Sequence, residues 1–387
     1  MTQFNYRVMK RRVFLRSAGV GATALVAGCT TQQADGGAGS ETSESSTTGG
    51  DGSTGTTTGT TESSSETLRV ATYSAFVDAP SSSPGPWLKE QFESEFDTTI
   101  EWQTPENELN YFIERQLQGV DPGADLYVGL DTNMLIRLDE KLNDPLFAPV
   151  ESGALSNRGD VKESLEFDPQ NRAVPYDTGY ISLVYDETQS TAPETFDGLL
   201  DPEFEGDLIT QNPTSSATGK AFLLHTIKAK GEDGYLDYWQ RLKDNGVRVL
   251  GTWEDSYTAY SNGEAPMVVS YSTDQVYANA DGADLRKHQI RFLNGQGYAN
   301  PEGMARFADT ENVETANRFM DFLLRPEVQA EIAVRNVQFP ATTTAELPEE
   351  FAKYAREPEE AVTFSYEELK GNLSEWTDAW ARQFASK

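Results

Sequence analysis

From Thr67 onward, apolar side chains follow two alternating rhythms. Short runs such as LRVATYSAF (68–76), TIEWQT (99–104) and ADLYVGL (124–130) are dense in β-branched and aromatic residues, which predicts strands. Between them the spacing changes to that of a helix. In PWLKEQFESEF (86–96), Trp87, Leu88, Phe92 and Phe96 fall on one stripe. ELNYFIERQLQG (108–119) is a second helical segment closed by Gly119, and NMLIRLDEKL (133–142) is a third. The order βαβαβα predicts a parallel sheet with helices on its faces.

The second half repeats the theme. AVPYDTGYISLVYD (173–186) is a long β-rich stretch. DLITQNP, VRVLGT and MVVSYS read as strands, separated by the helical TGKAFLLHTIKAKG, YLDYWQRLKDNG and SYTAYSNGEAP. RFLNGQGYANPEGMARF (291–307) is again β-rich, and helical stretches cover 311–333 and 367–385. Two α/β units joined by long β segments predict an α/β protein of two lobes around a cleft, each lobe a mostly parallel sheet flanked by helices. The expected first lobe is 67–176 plus the returning 298–387, and the second is 177–297.

The first 66 residues follow neither rhythm. In 10–29, Arg11 and Arg12 precede Val13-Phe14-Leu15. A short Ala/Gly-rich apolar run then ends in Leu25-Val26-Ala27-Gly28-Cys29. This is the arrangement of a twin-arginine export signal ending in a lipobox, with Cys29 as the lipidated residue. Residues 30–66 are almost wholly Thr, Ser, Gly, Glu, Asp and Gln. A segment without large apolar side chains cannot offset its ordering entropy, so a flexible tether is expected. The chain is therefore expected outside the cytoplasm, on the outer face of the membrane.

Charge and rare residues narrow the chemistry. Asp and Glu number 62 against 31 Lys and Arg, a net charge of -31. Such a chain repels phosphate backbones, which argues against nucleic acid and suits a cation. The acids are spread along the whole body, so most of them read as the hydrated surface of a halophilic protein. Cys29 is the single cysteine, and the two histidines, His225 and His288, sit in an apolar and a charged run. Neither an internal disulfide, a cysteine-rich metal site nor a histidine-based catalytic set has the material it needs. No cofactor or enzymatic activity is expected.

Ligands of open parallel sheets bind beyond the C-terminal ends of the strands. Those positions hold Tyr73, Asp131, Tyr176 and Asp177, Ser215, Ser216 and Gly219, Trp253, and Tyr271 with Tyr277 beyond it. Aromatic faces attract a cation and carboxylates accept hydrogen bonds from amines. The 214–219 loop opens a helix, where backbone N–H groups favour an anion. Each position also has a structural reading. Trp253 and Tyr271 could be core, Asp131 could cap the helix after it, and the serine hydroxyls could be caps.

The segments ATYSAF, SPGPWLKEQFE, ADLYVGLDTNML, VPYDTGYISLVYD, QNPTSSATG, WEDSYTAYSNGEAPMVVSYSTDQVYA and RPEVQAEIAVRNVQFPA occur in one order across the body. In order and spacing they resemble the thiamine-binding proteins of ABC-type importers, two-lobed type II members of the periplasmic-binding superfamily, here in a haloarchaeal-like lipoprotein form. The resemblance implies a monomer that captures thiamine or its phosphate esters for an ABC permease. It places Tyr73, Ser216, Trp253, Tyr271 and Tyr277 around the ligand. The family's acidic position before the second helix is Asn107 here, between Glu106 and Glu108, and the resemblance implies a carboxylate from a neighbour. Two family aromatics are replaced, by Val337 and Ala278. The alternatives are a receptor of the same fold for a polyamine or ferric iron, and an exported carboxylate-based hydrolase.

Overall fold

The computed structural model describes residues 66–79 and 82–385. The expected signal, lipobox and nearly all of the tether, with Arg11, Arg12 and Cys29, lie outside the described residues. The chain runs β1 (Glu66–Ala71), α1 (Ser74–Asp78), α2 (Gly85–Glu95), β2 (Thr98–Gln103), α3 (Leu109–Leu117), β3 (Leu126–Leu130) and α4 (Thr132–Lys141). A long β4 (Ala173–Tyr185) leads to β5 (Leu208–Gln211), α5 (Ala217–Lys230), α6 (Tyr235–Asp244), β6 (Arg248–Leu250), α7 (Trp253–Ser261), β7 (Met267–Tyr271), α8 (Asp274–Asp281) and β8 (Gln289–Arg291). Then come β9 (Gln296–Arg306), α9 (Val313–Leu323), α10 (Pro326–Asn336), β10 (Phe339–Pro340), α11 (Glu349–Tyr354), β11 (Glu360–Val362), α12 (Tyr366–Leu369) and α13 (Leu373–Ala385).

All the strands belong to one sheet in the order β2-β1-β3-β9-β4-β7-β5-β6, with β8 and β10 on β4 and β11 on β9. The strands β1, β2 and β3 are mutually parallel, as are β5, β6 and β7. The two parallel sets are the halves that the alternation predicts. Between them run β4 and β9, antiparallel to each other and to the flanking β3 and β7, while the short β11 lies parallel to β9. Twelve of the thirteen β4 residues are buried, so this strand is walled on both faces. That is the two-lobed type II architecture, with two long strands passing from one half to the other.

Each half is closed by helices whose apolar stripes face the sheet. Leu88 and Phe92 of α2 are fully buried, while Trp87 and Phe96 of the same stripe pack at its edge. Phe92 meets Phe319 of α9 edge-to-face, with ring centroids 5.0 Å apart. In the other half Trp239 of α6 is fully buried against Trp380 of α13 and donates its indole N–H to Thr226 Oγ1 at 2.8 Å. A buried aromatic of that size contributes roughly 1.5–3 kcal/mol, and the satisfied N–H removes the penalty of its polar atom.

The C-terminal stretch, expected to return with the first lobe, is divided. Helices α9 and α10 pack with β1–β3, but α13 packs on α6, within 177–297, where the Tyr235 hydroxyl donates to the Trp376 carbonyl. Helical periodicity marks which face of a segment is apolar and is silent about which of two apolar surfaces it will cover.

Candidate functional site

Two irregularities in the sheet build the site. Along β4–β9 the register slips between Pro175 and Asp177, so Tyr176 and Asp177 together oppose Glu302. Along β3–β9 it slips between Val128 and Leu130, so Gly129 is the extra residue opposite Gly303. An inserted residue bends the strand and re-aims side chains. Here both bulges flank Glu302-Gly303 from opposite sides of β9. As a result Tyr176 and Asp177 reach the site from inside β4 instead of from a strand end.

The side chains gathered there come from five elements and from Tyr73 in the loop between β1 and α1. Glu302 Oε2 accepts from the Tyr176 hydroxyl at 2.7 Å and from the Tyr73 hydroxyl at 3.1 Å. Asn336, the last residue of α10, donates Nδ2–H to Asp177 Oδ2 at 2.6 Å and lies 3.2 Å from the Tyr73 oxygen. Tyr271 ends β7, and its oxygen accepts from Thr218 Oγ1 at 3.4 Å. Two glycines make room. A Cβ on Gly129 would stand 2.5 Å from the Tyr73 ring, and one on Gly179 would stand 2.5 Å from the Tyr271 ring and 2.4 Å from Gln338 Oε1. Tyr73, Tyr271, Lys220 and Glu302 keep accessible surface although protein surrounds them on most sides, as expected of side chains lining a deep cleft.

Val337 adds strain. It C-caps α10 with φ 55°, in the left-handed region where a β-branched residue is an outlier. Such a backbone costs on the order of 1–3 kcal/mol and persists where the surroundings impose it. It lets the adjacent Asn336 and Gln338 both reach the cluster.

The electrostatics are those of acids held without a counter-ion. Burial pushes Asp177 well above the carboxylate range, and the neighbouring Glu302 adds to it, against the hydrogen bond from Asn336. Burial likewise raises Glu302, opposed by the bonds from Tyr176 and Tyr73. Tyr271 is pushed up to about 12 by burial. Lys220 is lowered by burial, with Asp131 acting the other way. Among the described residues no lysine, arginine or histidine forms an ion pair with Asp177 or Glu302. Asp177 Oδ1, the Tyr127 hydroxyl and Gln338 Oε1 are buried without a hydrogen-bond partner. Unpaired buried polar atoms cost about 1–3 kcal/mol each and are rare unless something else binds them.

The expected site residues divide into four groups. Tyr73, Tyr176, Asp177 and Tyr271 come together around Glu302. Asp131 is close enough to influence Glu302 and Tyr271, and it also caps α4, accepting from Met134 N at 2.7 Å. Trp253 belongs to a second group. Its indole donates to Ser270 Oγ at 3.0 Å, on the opposite face of β7 from Tyr271, and its ring stacks on Tyr257 at 4.8 Å. Tyr257 donates to Asp274, which pairs with His288, and Tyr277 lies on the same helix as Asp274 and acts electrostatically on Tyr257.

The α5 loop is committed to structure in part. Ser216 Oγ caps α5, accepting from Gly219 N, and Ser215 Oγ donates to the Gly251 carbonyl. Gly219 is a packing residue, since a Cβ there would stand 2.5 Å from the Gln211 carbonyl oxygen. Glu106 and Asn107 point into solvent, and the acid of that turn nearest the site is Glu108, raised by burial and by Asp131.

The sequence reading does not include Glu302, Asn336, Gln338 or Lys220 among its site residues. Only Glu302 carried a visible signal, a carboxylate inside the otherwise uncharged run YANPEGMA. Two cavities, of about 190 Å³ beside Arg69, Asp125 and Asn312 and about 440 Å³ beside Gln103 and Tyr111, lie apart from this cluster.

Residues 121–363 match the family described as bacterial extracellular solute-binding protein, a span that takes in Asp131, both bulges, Glu302 and Asn336. The chain belongs to that family. Among curated relatives of this solute-binding protein, the thiamine-binding periplasmic protein of Escherichia coli (strain K12) is 28% identical over 316 residues, covering 81% of this chain and 92% of the relative. That of Brucella suis biovar 1 is 28% identical over 319 residues, covering 81% and 91%. A solved structure described as a periplasmic thiamin binding protein superposes with a TM-score of 0.70 at 26% identity, covering 82% of this chain and 96% of that one.

Proposed function

We propose that this solute-binding protein captures thiamine outside the cytoplasm and delivers it to an ABC-type importer. The observation that carries the reading is the Asp177–Glu302 pair, Asp177 fully buried and Glu302 partly exposed, ringed by Tyr73, Tyr176 and Tyr271, with an unpartnered carboxylate oxygen and, among the described residues, no cationic side chain paired to it. A thiazolium ring supplies the missing positive charge and an apolar face for tyrosine. The thiamine-binding relatives support the same ligand. Phosphate esters belong to the proposal through Ser216, Thr218 and Lys220 at the start of α5, where a helix N-terminus and a lysine stand together. The body is proposed to act as a monomer of two lobes meeting near Tyr176. Export by the twin-arginine route, and anchoring through a lipidated Cys29, rest on the order of Arg11, Arg12 and Cys29.

The test is native mass spectrometry of the gently purified full chain, followed by fluorescence titration with thiamine, spermidine and ferric citrate. Thiamine is expected to be the co-purified mass and to saturate the signal at the lowest concentration. Saturation by spermidine or ferric ion with thiamine silent would transfer the assignment to a polyamine or iron receptor. Replacing Cys29 by Ser should release the protein to the medium, and unchanged membrane attachment would exclude lipidation there.

A further inference from the structure

The Asp177–Glu302 pair is built at a cost. Both residues stand opposite each other across the β4–β9 bulge. The hydrogen bonds they receive come from neutral groups, Tyr73 and Tyr176 on Glu302 and Asn336 on Asp177. The other titratable groups around them are Asp131 at the start of α4, Glu108 before α3, Tyr127 on β3 and Tyr271 on β7, which add negative charge or none. Lys220 on α5 and Arg137 on α4 are close enough to act on Asp131 and Glu108, and among the described residues neither forms an ion pair with Asp177 or Glu302. Two facing carboxylates in such surroundings cannot both ionise, as their mutual repulsion adds to the desolvation of each.

We infer that Asp177 and Glu302 select the ligand by charge, sharing one proton in the ligand-free protein and surrendering it to solvent when a ring with a fixed positive charge takes its place. The inference rests on the thiamine reading. No covalent bond changes, and one proton leaves for each cation that enters. Protonation and binding then compete, so affinity rises with pH, approaching about tenfold per pH unit while one proton is displaced. Burial holds the pair's proton to a higher pH than ordinary carboxylates, which sets the direction of that dependence. An uncharged ring of the same shape displaces nothing.

The experiment is calorimetric titration of the full chain at neutral pH in two buffers of different ionisation enthalpy. The probes are thiamine and its analogue with an uncharged thiophene in place of the thiazolium. The expected result is release of about one proton per thiamine, none for the thiophene analogue, and weaker binding of the latter. Glu302→Gln should abolish the proton release and flatten the pH dependence. Asp177→Asn reads the same quantity should the first variant fail to fold. Thiamine binding with the same heat in both buffers and an affinity flat in pH overturns the inference and leaves the thiamine reading standing. Absence of thiamine binding in the unmodified protein overturns the reading itself, and the inference with it.

Discussion

Five residues apart at the start of β4, the chain buries charge in two opposite ways. Arg172 is 2% exposed and every nitrogen of its guanidinium is bonded, to Asp139 through two of them and to Asp168 through Nε and through Nη2 at 3.0 Å. Asp168 also accepts from the backbone N–H groups of Arg172 and Ala173, and Asp139 from the Tyr366 hydroxyl. Asp177 is as deeply buried but has one donor, Asn336, an unpartnered Oδ1 and a second acid opposite. A buried charge that carries its own counter-ion is structural, because its desolvation is offset within the fold. A buried acid without one holds that offset open for a cation from outside.

The comparison can be broken most severely at Arg172. Arg172→Met leaves the buried carboxylate of Asp168 and the partly buried one of Asp139 without a counter-ion, and should lower the unfolding free energy by about 3–5 kcal/mol in urea denaturation. Burial would raise Asp139, but the Arg172 and Tyr366 hydrogen bonds and the Arg172 charge outweigh it and hold Asp139 below its ordinary value. A depressed acid contributes stability above its unfolded pKa and loses it as pH falls through the folded value. Unmodified protein should therefore lose this increment only in strong acid, and the variant should unfold at higher pH. An unchanged acid-unfolding midpoint would place the stabilisation elsewhere.

Asp177→Asn tests the other side of the comparison. Its effect should fall on binding, with thiamine affinity reduced at least about tenfold, or ~1.4 kcal/mol. The ligand-free variant should be as stable as the unmodified protein or more so. The folded pKa of Asp177 is raised, so ionisation opposes folding, and unmodified protein should melt at higher temperature as pH is lowered from above the folded pKa towards the ordinary carboxylate range. The variant should show less of this rise. Loss of stability together with affinity would make Asp177 a structural acid like Asp168.

Trp253 stands between the two cases, half-buried and hydrogen-bonded yet presenting a face. Trp253→Ala should weaken thiamine binding by about 1–2 kcal/mol while the melting curve of the ligand-free protein moves little. Equal losses in both would assign it to the core beside Tyr257. The smallest effect is expected at Ser216, whose oxygen already caps α5. Ser216→Ala should cost about 1 kcal/mol of stability. If the loop reads phosphate, the variant should lose more affinity for thiamine phosphate than for thiamine in parallel titrations. Equal losses would leave Ser216 as a cap alone.

Much of this was legible beforehand. The strand and helix rhythms locate both parallel sets, and the strand-end rule selects Tyr73, Asp131 and Tyr271, because side-chain periodicity and chain direction are local properties. The structure departs from that reading where a residue's role depends on something distant in sequence. Asn107, which the resemblance sets at an acidic position, is exposed, while Glu108, with a φ of 46°, is the less exposed acid of that turn and is raised by burial and by Asp131. Gly219 reads as a phosphate-loop glycine and serves to seat α5 on β5.

The sequence alone determined the α/β alternation, the excess of acid and the aromatic and acidic residues at the strand ends, since propensity, periodicity and composition need no partner to act. Only the tertiary structure decided that Glu302 would face Tyr176 and Asp177. Their meeting depends on a one-residue slip between strands more than 120 positions apart, and a strand's own pattern does not encode the register of its neighbour.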